Sequence, residues 1–307
     1  MKIEKTTYKN FGNCVKLSNG TVELYVTTDI GPRVISYSFI GGENVMLNDE
    51  NREVFNNDAS IKEVFKRADK WLIYGGHRLW TSPEYMPETY FPDDLPVDFT
   101  QTENGGIFTQ AEQLPFKKQC SIEIELGEGT DVKVTHKVKN TGTETQEYAI
   151  WALTVLAPGG IEIIPMPKND TGYLANRVIS LWDYTNMNDP RVFWGRDYIT
   201  VIQDEKAETF FKLGINNVSG TAAYINKGVC FVKKYAHDEN AAYPDFGVSY
   251  ETYTNSKFLE AESLGALGKV VPGQVLTHTE CWTLKKCELD FDPKDEEQIA
   301  KKAKEIF

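Results

Sequence analysis

Ser121-Ile122-Glu123-Ile124-Glu125-Leu126, followed after a polar break by Val132-Lys133-Val134-Thr135-His136-Lys137-Val138, places an apolar side chain on nearly every second residue. A period of two belongs to a strand with one face on a core. The pattern recurs outward in both directions, at Val22, Leu24 and Val26 and again at Val229, Phe231 and Lys233. Turn signals separate the runs: Ser18-Asn19-Gly20, Gly41-Gly42, Asn104-Gly105-Gly106, Asn140-Thr141-Gly142, Pro158-Gly159-Gly160 and Pro272-Gly273. Their spacing is that of antiparallel sheets. Ala149-Ile150-Trp151-Ala152-Leu153-Thr154-Val155-Leu156-Ala157 is apolar on both faces and predicts a central strand buried between two layers.

Only two segments favour helix. Ile61, Val64, Phe65 and Ala68 recur at the helical period, predicting a helix near 61–70. Asp292 and Pro293 read as N-cap and first helical residue before Ile299, Ala303 and Ile306, predicting a C-terminal helix over 293–307. With no linker, low-complexity tract or internal repeat, residues 1–307 are expected to form a single all-β sandwich domain with a few short helices.

The charge balance narrows the function. Lys and Arg number 33 against 45 Asp and Glu, a formal net charge of −12. Phosphate backbones and anionic bilayers both select clustered cations, so neither nucleic acid nor a membrane is an expected partner. The start, Met1-Lys2-Ile3-Glu4-Lys5-Thr6, lacks the apolar core of a secretory signal, which gives a cytoplasmic expectation. Five cysteines, widely spaced and without a Cys-x-x-Cys pair, read as reduced thiols rather than a disulfide framework or zinc site. No two histidines have transition-metal spacing, and no nucleotide or dinucleotide fingerprint occurs, so no metal or cofactor is expected.

Two clusters carry chemistry. Trp71-Leu72-Ile73-Tyr74-Gly75-Gly76-His77-Arg78-Leu79-Trp80-Thr81-Ser82-Pro83-Glu84 combines paired glycines with an imidazole, a guanidinium and indoles. Those groups offer a polyhydroxy ligand donors, an acceptor and a stacking face. The competing reading is a turn with its Trp in the core and Arg78 paired to Glu84. In Lys257-Phe258-Leu259-Glu260-Ala261-Glu262-Ser263-Leu264-Gly265 a strand puts Glu260 and Glu262 on one face, ~7 Å apart along the chain. Burial and mutual repulsion would raise their pKa values toward the range useful to a general base; the competing reading is a solvated strand face. Of the other histidines, His136 lies among Val132, Val134 and Val138 and reads as core. His278 shares a face with Glu280 and Trp282, His237 sits in a polar loop, and Lys212 projects near a strand end.

These residues resemble galactose mutarotase-like (aldose 1-epimerase-like) proteins, most closely uncharacterised bacterial members. The resemblance is carried by Asn19-Gly20-Thr21-Val22-Glu23-Leu24 through Asp29-Ile30-Gly31-Pro32-Arg33-Val34-Ile35, the Gly-Gly-His-Arg-Leu-Trp block and the Asn140-Thr141-Gly142 turn. The Glu260 strand, Val271-Pro272-Gly273 and Glu280-Cys281-Trp282 complete it, so that it spans roughly residues 10–286. It implies a β-supersandwich, two large antiparallel sheets whose concave side holds a small-molecule carbohydrate. It also implies a Glu acting as base on the anomeric hydroxyl and a His acting as acid on the ring oxygen. Glu260 matches the Glu. Where the family's His follows an Ala-Leu-like pair, Ala152-Leu153 is here followed by Thr154, and His77 is the substitute.

The resulting expectation is an epimerase or mutarotase-type enzyme with Glu260 and His77 as catalytic residues. Arg33, Trp71, Arg78, Trp80, Glu84, Lys212 and Glu262 would bind substrate, the sugar stacking on Trp71 and Trp80. A non-catalytic carbohydrate-recognition protein is the alternative, motivated by Thr154. A polysaccharide lyase or hydrolase draws only on the range of chemistries one fold hosts.

Overall fold

The computed structural model describes all 307 residues. Strands dominate, arranged as one eleven-stranded and one ten-stranded sheet, both antiparallel, with a small two-stranded ribbon. The predicted double-faced strand is Gln146–Leu156, buried almost throughout. It lies in the eleven-stranded sheet between Gly76–Ser82 and Leu259–Leu264, with Tyr250–Thr254 and Phe211–Ile215 continuing on the far side. The alternating 121–138 segment forms the hairpin Lys118–Leu126 and Val132–Asn140 of the ten-stranded sheet, beside Val275–Lys286 and Val229–Tyr235.

Apolar residues from both sheets meet in the largest core cluster, including Val22, Leu24, Ile122, Ile124, Val134, Phe231 and Trp282. A second cluster occupies the opposite face of the eleven-stranded sheet. Trp71, Trp80, Trp151, Leu153, Phe258 and Leu264 gather there under Ile61 and Phe65 of the first helix.

The two helices are shorter than the sequence suggests. The first spans Ala59–Phe65, and only Ile61 and Phe65 are buried. Lys66 follows in a left-handed conformation, φ 58°, which ends the helix before Ala68. The second spans Glu296–Ile306, and Asp295 rather than Asp292 caps it, its carboxylate accepting from the amides of Glu297 and Gln298. Pro293 lies outside the helix, where its carbonyl accepts from the Thr200 hydroxyl. No helix is long and apolar enough to cross a membrane. All five cysteines are free; Cys14, Cys120 and Cys230 are buried.

Candidate functional site

Strand register lays out the floor of a cavity on the face of the eleven-stranded sheet turned away from the ten-stranded one. Cross-strand partners point to the same side. One row therefore runs Trp80, Trp151, Leu264; the next Arg78, Leu153, Glu262, Glu251; the third Val155, Glu260, Tyr253, Lys212. The cavity above them has a volume of about 480 Å³. Trp71, Ile73, Tyr90, Trp182, Tyr184, Phe210, Phe258 and the 54–57 segment supply its walls, with Glu84 at the rim.

Cations and carboxylates interlock on this floor. Arg78 Nη1 donates to Glu260 Oε1 at 2.7 Å. The Arg78 guanidinium lies 4.1 Å from the Trp80 ring centre and 5.4 Å from that of Trp71, a cation–π arrangement with both. Glu260 Oε2 takes no hydrogen bond from the protein. Lys212 Nζ lies 2.8 Å from Glu251 Oε2 and 3.3 Å from Glu262 Oε2, and 4.5 Å from each of the Trp151 and Trp182 ring centres. Trp151 Nε1 also donates to Glu262, at 2.8 Å. Burial raises the pKa of Glu251 and Glu262 above the ordinary carboxylate range, against the pull of Lys212. For Lys212 burial acts downward, but Glu262 and Glu251 outweigh it and leave the ammonium above its usual value. At the rim, Tyr90 donates to Glu84 at 2.6 Å, so Arg78 pairs with Glu260 and not with Glu84.

Several polar atoms around the cavity are buried without a partner: Arg78 Nε, the indole nitrogens of Trp71 and Trp80, Glu262 Oε1 and Glu251 Oε1. Buried polar atoms are normally satisfied; of these five, Arg78 Nε and the two indole nitrogens belong to residues that line the cavity, while Glu251 and Glu262 lie beneath it.

Six of the residues singled out in the sequence line this cavity: Trp71, Arg78, Trp80, Glu84, Lys212 and Glu260. Glu262 is fully buried beneath Lys212 and Trp151. Two do not reach it. Arg33 is fully buried in a pair with Asp93, beside the rings of Trp71 and Tyr74, and burial lowers its pKa to about 10. His77 points the other way, between the sheets. The reason is strand alternation: residues 77 and 78 are neighbours in Gly76–Ser82, and Arg78 already faces the cavity. The paired glycines serve this packing. A Cβ on Gly75 would lie 2.1 Å from the Leu47 carbonyl oxygen, and one on Gly76 would lie 2.3 Å from that of Val34.

Between the sheets His77 belongs to a second polar network. His136 Nδ1 faces the His278 carbonyl at 3.0 Å, so that nitrogen carries the proton and Nε2 accepts. His77 Nε2 donates to it at 2.6 Å, and His77 Nδ1 accepts from the Thr154 hydroxyl at 2.8 Å. His278 Nε2 contacts Ser263 at 2.7 Å, and Ser263 reaches Glu280. Lys233 pairs with Glu280 at 2.8 Å and donates to the carbonyls of Ala152 and Ala261, fastening one sheet to the other. Burial lowers the pKa of all three histidines, that of His278 to about 4, so the imidazoles are neutral. Thr154, which stands where the resemblance places an acid His, is thus an interior residue, and Leu153 and Trp151 are the cavity-facing members of that strand. His77, His136 and Glu280 offer ligand atoms within 4.8 Å of one another. However, the two imidazoles bond each other, and Lys233, Ser263 and Trp282 occupy the carboxylate. A metal ion would have to displace bonds already made, beside a buried ammonium.

The sequence reading missed Trp151, Trp182, Tyr184, Phe210, Tyr253 and Glu251. Trp151 and Glu251 carried a usable signal, since each shares strand parity with cavity residues. The Trp182, Tyr184 and Phe210 segments are brought in by loops, for which no periodicity exists.

A mostly antiparallel two-sheet sandwich with a polar, aromatic-walled cavity on one outer sheet face defines the structural class, and solved structures supply its name. A galactose mutarotase-like protein from Lactobacillus casei ATCC 334 matches with a TM-score of 0.56 at 10% identity, covering 89% of this chain and 100% of that one. A protein provisionally named an aldose 1-epimerase from Klebsiella pneumoniae matches at 0.57 and 12% identity, covering 99% and 86%. A TPR-domain containing protein from Parabacteroides distasonis matches at 0.60 and 13% identity, covering 91% of this chain and 48% of that one. No protein-family model and no curated protein sequence matches the chain. The chain therefore has the galactose mutarotase-like fold.

Proposed function

We propose that the cavity binds a sugar and interconverts its anomers, with Glu260 as base and Lys212, in place of a histidine, as acid. One observation carries this reading: Glu260, with one carboxylate oxygen that takes no hydrogen bond from the protein, and Lys212, an ammonium with three donors and two carboxylate partners, line the same cavity. Glu260 spends Oε1 on Arg78 and keeps Oε2. Lys212 has three N–H groups, pairs with Glu251 and Glu262, and lies between the Trp151 and Trp182 rings on the cavity wall. In the proposed step Glu260 Oε2 takes the proton of the anomeric hydroxyl as the bond from the anomeric carbon to the ring oxygen breaks. Lys212, whose carboxylate partners hold its pKa above the usual value, gives a proton to that oxygen late in the step, as the oxygen becomes a strongly basic alkoxide. The open-chain aldehyde rotates, and the reverse transfers close the ring on the other face, restoring both groups. Solved neighbours named as a mutarotase-like protein and an aldose epimerase support the same direction.

The test is anomer interconversion followed by exchange spectroscopy on any sugar that binds. Wild type should exceed buffer. Glu260→Gln and Lys212→Met should each lose roughly 10²- to 10⁴-fold in turnover, with Glu260→Gln still binding. A wild type that binds sugars but is no faster than buffer on all of them leaves carbohydrate recognition without catalysis. That second reading is favoured by the Glu260–Arg78 ion pair, which holds the base in contact with a cation.

A further inference from the structure

The four indoles of the cavity are poorly placed as sugar platforms. Trp71 and Trp80 carry the Arg78 guanidinium and are 4% and 9% exposed; Trp151 and Trp182 carry the Lys212 ammonium. The rings with free faces lie at the mouth. Phe55, Tyr184 and Phe210 line the same cavity and are 49%, 43% and 56% exposed, and because Lys70 lies over Phe55, 5.2 Å from its ring centre, Tyr184 and Phe210 are the pair without a cation. The three rings come from separate segments, so their convergence is a product of the fold and not of one apolar stretch.

These rings connect to the floor. Phe258, buried two residues before Glu260, lies 5.9 Å from Tyr253 between ring centres; Tyr253 lies 6.2 Å from Phe210, and Phe210 lies 6.4 Å from Tyr184. A continuous aromatic wall thus rises from beside Glu260 to solvent, longer than a single sugar ring can cover. The volume sets the limits: about 480 Å³ is the liquid volume of roughly sixteen waters, more than the non-hydrogen atoms of one hexose and fewer than those of a disaccharide, so a second unit would extend from the cavity past the exposed rings at the mouth. The charges also agree on a class of ligand. The lining cations, Arg78 and Lys212, are both bonded to carboxylates, and Glu84 adds a negative charge at the rim, so nothing there is reserved for an anionic sugar.

Building on the carbohydrate reading above, we propose that the mouth is a second sugar subsite. The ligand is then a neutral reducing oligosaccharide, with its reducing unit at Glu260 and the next unit stacked on Phe210 and Tyr184.

Calorimetric titration separates the possibilities. The panel comprises glucose, galactose and mannose; maltose, cellobiose and lactose; and glucose 6-phosphate and galacturonate. Wild type, Phe210→Ala and Tyr184→Ala are compared; both positions are exposed, so melting temperature should not move. At least one disaccharide should bind roughly tenfold more tightly than its reducing-end monosaccharide. Phe210→Ala should remove that gain and leave monosaccharide affinity unchanged. Disaccharides no tighter than monosaccharides, a variant that weakens both equally, or a preference for the anionic sugars would each overturn the second subsite while leaving sugar binding in place. No binding across the panel would instead remove the carbohydrate reading on which the subsite rests.

Discussion

The two polar clusters of this protein are built by the same three strands. Gly76–Ser82, Gln146–Leu156 and Leu259–Leu264 send Arg78, Trp151, Glu260 and Glu262 to one face and His77, Thr154 and Ser263 to the other. Both clusters are buried, and both centre on a lysine near carboxylates. They differ in closure. Between the sheets the polar side-chain atoms of His77, His136, Thr154, Ser263, Lys233 and Glu280 all have partners, and the unpaired atoms there, Glu162 Oε2 and the hydroxyls of Tyr235 and Thr252, belong to none of these six; around the cavity Arg78, Trp71, Trp80, Glu251 and Glu262 themselves leave atoms unpaired. The inner network fixes the position of one sheet on the other; in the proposed reading the open atoms of the cavity meet a ligand. Burial and charge alone do not distinguish scaffold from site here.

The largest effect that would break this contrast is at Glu280. Glu280→Gln strands the Lys233 ammonium between the sheets and should lower stability by about 3–5 kcal/mol, read as the urea midpoint, while sugar affinity of the folded fraction is unchanged. Substantial loss of affinity at full stability would show that the inner network serves the site directly.

The same pair of clusters should respond to pH with opposite sign. Despite the opposing effect of burial, the Lys233 ammonium holds the Glu280 pKa below its ordinary value, so its stabilisation is present above the unfolded-state value and is lost as pH falls through the folded one. The Glu280→Gln deficit should therefore shrink in acid. Burial raises the Glu262 pKa, so the folded state retains a proton that the unfolded chain releases, and wild type should lose stability relative to Glu262→Gln as pH rises above the ordinary carboxylate range. Slopes of the same sign in the two variants would contradict the assignment.

A smaller effect is expected at Thr154. Thr154→Val leaves His77 Nδ1 without its donor and should cost about 1–3 kcal/mol in stability, with the anomerisation rate per folded molecule unchanged. Smallest is Trp182→Leu, which removes one of the two rings over Lys212. Stability should fall by about 1 kcal/mol, and ligand affinity should fall with it, because this ring also lines the cavity.

Most of the fold was legible because alternation is local. The 121–138 hairpin and the double-faced strand are where the pattern places them, and the turns follow Gly, Asn and Pro. The helix ends were less legible, since both Asp292 and Asp295 can cap and only packing of the final helix selects between them. The site was half legible for a related reason. Glu260 and Glu262 were read with strand parity in mind, and they do share a face. His77 and Arg78 were read as one chemical block, and the pleat separates them. Arg33 carried no local sign that Asp93, sixty residues away, would take its charge. The aromatic mouth was hidden because its rings come from loops and a strand end far apart in sequence.

The alternation in Leu259–Leu264 also has a consequence for how such a chain can change over generations. A single inserted or deleted residue there would rotate Glu260 and Glu262 inward and carry Ala261 and Ser263 out, emptying the floor of the cavity and placing carboxylates against Lys233 and the imidazoles. Lineages should therefore tolerate substitutions along this strand far more readily than changes in its length. The segments bearing Tyr184 and Phe210 carry no such constraint, and variation in length should concentrate there, altering what the mouth accepts while leaving the floor in register.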